Sequence, residues 1–241
     1  MANQPSPPPS PCKGEGEIVF QKGIYLLPEF SPGALAAFSG REFEAGKDRA
    51  RFLAGLGAAP ERACELEQIH GDRVIVADHP LQGEEADALV TRTPGLALLV
   101  RTADCASVFF YDDKVPAVGI AHAGWRGAKA GILPRMLETF RRELDTRPAS
   151  LRIAIGPVIC QKCYEVGEEF KGYFPGRVEK RSGKHYLDLA GFLKQQLKDG
   201  GVPELAIHDS GRCPSCSLAD FFSVRREGQN TGRIISAIML K

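Results

Sequence analysis

An α+β (mixed α/β) fold in a single domain is what this sequence predicts, on three observations. Short apolar, β-branched runs recur along the chain, bounded by Gly, Pro, Asp or Asn, the punctuation of strands. Between them lie stretches with helical spacing, at 48–56, 132–140 and 187–198. The two kinds mix without the regular βαβ repeat of a doubly wound or barrel fold.

Met1 to Glu15 (MANQPSPPPSPCKGE) is rich in Pro and Ser and nearly free of apolar side chains, which predicts a disordered or polyproline-like tail and leaves 16–241 as the single folded domain. From Ile18 to Phe38 the runs IVF, IYLL and ALAAF fit two or three short strands. Phe38-Ser-Gly-Arg41 then ends a strand with a candidate ligand contact at Arg41, and Asp48–Leu56 follows as a helix. His70 precedes an alternating strand, RVIVA; a lone loop histidine is by default a surface or structural residue, and only converging ligands change that. Ala86–Val90 is short and apolar.

The stretch from Leu96 to Ile132 reads as a β-hairpin leading into a helix. With Asp113 and Lys114 as the two turn residues, Asp112 faces Val115, Phe110 faces Ala117 and Cys105 faces His122. Directly opposed residues on antiparallel strands have Cβ atoms about 4.5–5.5 Å apart and share a face. A thiol and an imidazole so placed suit two ligands of one metal ion. Asp-Lys is not a strong hairpin turn, and a one-residue slip would put the pair on opposite faces.

After His122, Ala-Gly-Trp-Arg-Gly makes a glycine-rich turn at a helix start, where free N–H groups and the fork of Arg126 favour an anion. Neither a P-loop nor a complete dinucleotide fingerprint is present. Trp125 is a packing residue or a base-stacking platform. Further on, Leu151–Ile155 is expected as a strand, Glu165–Tyr173 as a helix, Arg177–Lys184 as a basic loop, Leu187–Lys198 as a helix, and Leu205–His208, Phe221–Arg226 and Gly232–Leu240 as strands. Cys160, Cys163, Cys213 and Cys216 form two C-x-x-C pairs. Packed or substrate-adjacent thiols rank first for them, then a structural zinc site, then a redox dithiol; their separation exceeds that of a compact zinc ribbon.

With 241 residues, 43% hydrophobic and 25% charged, the chain can bury a full core. Its net charge of +1 argues for neither nucleic acid nor an anionic membrane as partner. No apolar run approaches the roughly 20 residues of a membrane span, and no signal-peptide pattern opens the chain, so a cytoplasmic protein, monomeric or weakly self-associating, is expected. Seven cysteines in a reducing compartment read first as ligands, catalytic thiols or packing residues.

Taken together, six motifs carry a resemblance. Gln68-Ile-His70, Ala86-Asp87-Ala88 with Val90-Thr91, Thr102-Ala-Asp-Cys105, Ala121-His-Ala-Gly-Trp-Arg-Gly127, Ile155-Gly-Pro157 with Cys163-Tyr-Glu-Val-Gly167, and Phe221-Phe-Ser with Arg225-Arg226 and Thr231-Gly-Arg233 occur in this order. The set resembles the YfiH/YlmD family, also called the laccase-domain or multicopper polyphenol oxidoreductase family, over nearly the whole chain after the tail. The resemblance implies layered mixed sheets flanked by helices and a catalytic zinc bound by His70, Cys105 and His122. It also implies purine nucleoside phosphorolysis, with 5′-methylthioadenosine phosphorolysis and adenosine deamination beside it. Three protein ligands leave zinc an open position for a water that ionises near neutral pH. Arg41, Arg126 and Arg225 are the arginines expected to hold substrate or phosphate, from charge and motif position. The chain departs from the family pattern after Arg41, passing almost directly to Glu42-Phe-Glu-Ala-Gly-Lys where a longer loop with an Asn-Leu-Gly element is usual.

Copper ranks below zinc. A multicopper oxidase needs many histidines, and this chain has five with no His-x-His pair. Met136 and Met239, candidates for a weak axial ligand, lie in core-like stretches. A cytidine-deaminase-type enzyme is excluded, because no histidine is followed by x-Glu and neither C-x-x-C is preceded by Pro. A non-catalytic metal-binding protein and a metal-free Cys/His hydrolase built on Cys105 and His122 are the readings from other classes.

Overall fold

A computed structural model describes residues 18–241; the expected tail at 1–15 lies outside the described residues. Two mixed sheets form the centre. One has seven strands in the order Val19–Gln21 (β1), Ile24–Leu26 (β2), Ala34–Ser39 (β3), Ile234–Leu240 (β16), Ala97–Thr102 (β8), Ala63–Glu67 (β4) and Gln82–Glu85 (β6). The other has six, in the order Ile207–Asp209 (β15), Leu151–Ile155 (β11), Ala106–Asp112 (β9), Ala117–Ala123 (β10), Ala88–Thr91 (β7) and Val74–Val76 (β5). A small third sheet joins Glu165–Val166 (β12), Lys184–Leu187 (β14) and Val178–Arg181 (β13).

The layers follow from which side chains each strand buries. Phe38, Leu98, Val100 and Ile234 of the first sheet meet Leu89, Phe109, Val118 and Ile120 of the second in one apolar cluster, so the two sheets pack face to face. The outer face of the first sheet, through Ala37, Leu99 and Ile235, is covered by Phe52 and Leu53 of a helix at Ala45–Gly55 (α1). The outer face of the second, through Val108, Phe110 and Ile153, is covered by helices at Ile132–Glu143 (α3), which follows a short helix at Trp125–Ala130 (α2), and at Leu189–Asp199 (α5). Alternating residues of β9, Phe109 and Phe110, thus serve opposite cores. That is why β9 and β10 are buried along their whole length and read as continuous apolar runs rather than alternating ones.

The chain passes from the first sheet to the second three times in the first half: between β4 and β5, between β6 and β7, and between β8 and β9. Those crossings carry His70, Asp87 and Cys105 respectively.

Several expected elements take another form. The central hairpin is real, but Ala117 pairs with Asp112 and His122 with Ser107, so the loop is four residues, Asp113–Pro116, and Cys105 lies just before the strand. The Asp112 carboxylate accepts from the amides of Lys114 (2.9 Å) and Val115 (3.3 Å), closing a side-chain-capped turn, and Pro116 has no N–H to add to a tighter ladder. Because the register moves by two residues, the face expected for the site is kept. The expected helix at Glu165–Tyr173 is instead β12 followed by a single helical turn at Phe170–Tyr173 (α4), and the expected basic loop at 177–184 is most of the β13–β14 hairpin. Phe221–Arg226 is not a strand. Ser223 accepts from the Arg226 amide and caps a short helix, Val224–Glu227 (α6), an N-cap chemistry that outweighs the aromatic β-propensity before it.

The packing predicts a contrast testable by denaturant unfolding. Phe109→Ala, which empties a fully buried site between the sheets, destabilises the protein by about 3–5 kcal/mol. Leu205→Ala, at a side chain 94% exposed, changes stability by no more than about 0.5 kcal/mol.

Candidate metal centre

The centre is assembled around a carboxylate. Asp87 is fully buried at the start of β7, and its two oxygens accept from three consecutive amides, those of Ile69 (3.2 Å), His70 (2.9 Å) and Gly71 (2.6 Å). The same carboxylate lies 2.7 Å from Nδ1 of His122. Burial opposes its ionisation, but the bonds from His122 and from the Gly71 and His70 amides prevail, and the carboxyl is held below the ordinary carboxylate range. His70 has a φ of 60°, a left-handed conformation uncommon for a side-chain-bearing residue; the three amide bonds are what hold it there. With Nδ1 of His122 engaged, its Nε2 is left for a metal, the tautomer that a carboxylate partner fixes in metal sites.

Ligand atoms of His70, Cys105 and His122 lie within 4.8 Å of one another. The two imidazoles meet edge to face, with centroids 4.7 Å apart. Two nitrogens and one sulfur at this spacing fit a three-ligand metal site with a position open to the cavity. Gly124 is required beside it, since a Cβ there would lie 2.7 Å from the Cys105 sulfur. Gly127 is required for a different approach, because a Cβ would sit 2.8 Å from the Gly71 carbonyl oxygen. In the metal-free site, burial disfavours the Cys105 thiolate, yet the adjacent His122 imidazolium and hydrogen bonds from both histidines outweigh it and lower the thiol to about 6. Burial likewise disfavours charge on His122, and the thiolate together with Asp87 overcomes this and raises it to about 9.

The centre opens into a cavity of about 780 Å³, whose walls include Trp125, Arg126, Tyr164 and Arg225. Arg126 lies over the Trp125 ring at 4.5 Å, and Trp125 in turn packs on Phe170 and Tyr173, so this side chain both joins a core and presents a surface to the cavity. Arg225 lies over Tyr164 at 5.3 Å, with its Nη1 donating to the Glu165 carbonyl at 2.8 Å. Arg41 is elsewhere. Its guanidinium pairs with Glu227 (2.5 Å), donates to the Phe221 carbonyl (3.0 Å) and covers the Phe222 ring, so it is not brought into the cavity wall with Arg126 and Arg225. Glu227 also receives Arg226 and Thr231, and Thr231 lines the cavity.

Residues that position the candidate ligands carry weaker sequence signals than the ligands themselves. Asp87 lies within a quoted motif, and a lone carboxylate entering an apolar run, Ala86–Val90, is the signal that could have given it a role. Asp104, beside Cys105, accepts from Ser223 Oγ and the Arg225 amide, both at 2.7 Å, and ties α6 to the site; burial pushes its carboxyl up despite these bonds. Gln68 bridges β4 and β8, its amide nitrogen donating to the Arg101 carbonyl (2.9 Å) and its amide oxygen accepting from the Arg101 amide (2.8 Å).

The sequence profile of a family described as multi-copper polyphenol oxidoreductase laccase matches residues 40–241. The chain is 40% identical over 199 residues to a purine nucleoside phosphorylase of Deinococcus radiodurans, covering 80% of this chain and 76% of that protein. It is 35% identical over 222 residues to adenosine deaminase RL5 of an unknown prokaryotic organism, covering 81% and 84%. Its fold superimposes on the crystal structure of YlmD from Geobacillus stearothermophilus with a TM-score of 0.87 at 27% identity, over 96% of this chain and 100% of that one. The layered fold expected from the motifs is thereby borne out.

Two outcomes check the centre. In metal-free protein, alkylation of Cys105 followed by peptide mass spectrometry rises with pH through about 6, since a lowered thiol pKa makes thiolate available above that value, and added zinc protects the residue. Asp87→Asn weakens metal affinity by about 10–100-fold in a chelator competition.

Proposed function

The chain belongs to the multi-copper polyphenol oxidoreductase laccase family, and on that premise we propose that it is a zinc-dependent purine nucleoside phosphorylase. Its substrates are adenosine, inosine or guanosine with phosphate, and its products the free base and ribose 1-phosphate. Phosphorolysis of 5′-methylthioadenosine and deamination of adenosine are proposed for the same site. One observation carries the reading: a single cavity is lined by a candidate three-ligand metal set, by four arginines, Arg126 and Arg225 among them, and by the aromatic rings of Trp125 and Tyr164.

In phosphorolysis the C1′–N9 bond breaks with its electron pair leaving on the purine, and a phosphate oxygen bonds to C1′. The phosphate carries negative charge throughout, so fixed cations must hold it in place. Arg126 and Arg225 line the cavity and present planar donor forks suited to phosphate oxygens. Their stacking on Trp125 and Tyr164 restrains both guanidinium groups. Uncovered parts of the same rings offer flat apolar surface to a purine. Zinc, when bound by His70, Cys105 and His122, supplies Lewis acidity and a bound water that ionises near neutral pH, the chemistry that deamination at C6 requires. Asp87 fixes the His122 ring and the His70 loop, which keeps the ligand set in register with the cavity.

The family's descriptive name carries a second reading, a copper polyphenol oxidase. Such an enzyme needs several histidine-rich copper sites, whereas among the described residues His70 and His122 are the histidines found in a metal-sized cluster.

The test is metal analysis together with phosphate-dependent release of base from adenosine and inosine. Wild type is expected to turn both over with zinc at the His70/Cys105/His122 site, and Cys105→Ala to lose that zinc and the activity. Arg126→Ala keeps the metal and raises the phosphate KM by about 10-fold or more. Zinc without turnover of any purine nucleoside, or copper with oxygen-dependent oxidation of a phenol, would overturn the reading.

A further inference from the structure

We infer that Cys160, Cys163, Cys213 and Cys216 form a second, structural zinc site that is independent of the centre in the cavity. All four sulfurs lie within 4.8 Å of one another. The Cys216 sulfur is 3.6 Å from that of Cys160 and 3.4 Å from that of Cys163. A zinc ion with four thiolates at about 2.3 Å has sulfurs about 3.8 Å apart along the edges of its tetrahedron. The observed spacings are near that edge and well beyond the roughly 2.05 Å of a disulfide. They are also too short for a polynuclear iron–sulfur cluster, which holds its thiolates on separate irons.

Topology explains how residues 53 apart converge. Strands β11 and β15 are parallel neighbours, so the loops that leave them start from one edge of the sheet. The Val158 amide donates to the Arg212 carbonyl (3.0 Å), holding the two loops together as they approach the cysteines. Each C-x-x-C then bends as a knuckle. The Cys163 amide donates to the Cys160 carbonyl at 3.0 Å, and the Ser217 amide to the Cys213 carbonyl at 3.0 Å. Between the knuckles, the Cys160 amide donates to the Cys213 sulfur at 3.2 Å, an N–H···S bond that favours a thiolate.

Arginines brace the carbonyls of both turns: Arg181 donates to Gln161 (3.1 Å), and Arg226 to Ser215 (3.2 Å) and Pro214. Four thiolates around a divalent ion leave two net negative charges, which nearby guanidinium groups offset. Apolar packing does not account for the cluster. None of the four cysteines belongs to an apolar core cluster of the described residues, whereas Cys64 does. The thiols' mutual spacing favours a shared ion over packed or substrate-adjacent thiols. A function follows from position. The first knuckle runs directly into Tyr164, and the second leads to α6 and Arg225, which binds the Glu165 carbonyl. The ion would cross-link the two loops that supply this wall of the cavity.

Metal content, cobalt spectra and thiol titration together decide the matter, without reference to turnover. Protein purified under reducing conditions is expected to carry about two zinc ions per chain, and Cys105→Ala about one. Cobalt reconstituted into Cys105→Ala should give the intense sulfur-to-metal charge transfer of a tetrathiolate site. Cys163→Ser and Cys216→Ser should each lose one equivalent while keeping the metal protected at Cys105, and melt lower by on the order of 10 °C. If either serine variant fails to fold, Cys105→Ala alone still reads the second site. Cys105→Ala free of metal, or a disulfide within the four found by thiol titration of denatured protein, would overturn the inference. Neither result would bear on the first centre's metal or its turnover of nucleosides.

Discussion

The buried carboxylate of Asp87 is the interaction on which the rest of the site depends. An ionised group with no exposure is costly unless its lone pairs are filled, and here four donors fill them: three amides of the 69–71 loop and one imidazole nitrogen. The same four bonds hold His70 in an unfavourable backbone conformation and set the ring of His122. One side chain thus positions two of the three candidate metal ligands, and the third, Cys105, packs against Gly124, where a Cβ would lie 2.7 Å from its sulfur. Removing Asp87 would therefore loosen the ligands without touching any of them directly.

The wall facing the metal is built on a similar plan. Asp104 gathers Ser223 and the first turn of α6, while Glu227 gathers Arg41, Arg226 and Thr231 from the other side. Arginines that resemble substrate contacts in sequence divide accordingly. Arg41 and Arg226 both pair with Glu227 and neither lines the cavity, whereas Arg126 and Arg225 do line it. Charge and motif position treat these residues alike; what separates them is where the nearest carboxylate lies in space.

That difference marks how much was legible in the sequence. Long apolar runs identified β9, β10 and β16 because burial on both faces leaves an unmistakable signal, whereas the run from Leu96 to Asp112, expected as one hairpin arm, is split into β8 of one sheet and β9 of the other. His70, Cys105 and His122, which the fold brings together as a candidate metal set, were legible because the three carry distinctive chemistry within recognisable motifs. The hairpin register was misread by two residues because the turn is capped by the Asp112 side chain, a contact with no periodic signature. The 165–187 region was misread because its strands are short and half-exposed, and their pairing with one another, rather than local propensity, decides their form. The approach of two distant C-x-x-C pairs was invisible for the same reason: it follows from β11 lying beside β15, which the spacing along the chain does not express.

The three passages between the sheets have a consequence for how the molecule forms. His70, Asp87 and Cys105 each sit where the chain leaves one sheet for the other, and His122 comes from a strand of the second. Neither sheet alone carries a complete ligand set. A nascent chain does not assemble this set until both sheets have paired and closed on each other, so an ion bound there would be captured after the slow, long-range pairings of β4 with β8 and of β8 with β16. Its binding would draw on the assembled sandwich alone, coupling ion retention to the persistence of the fold.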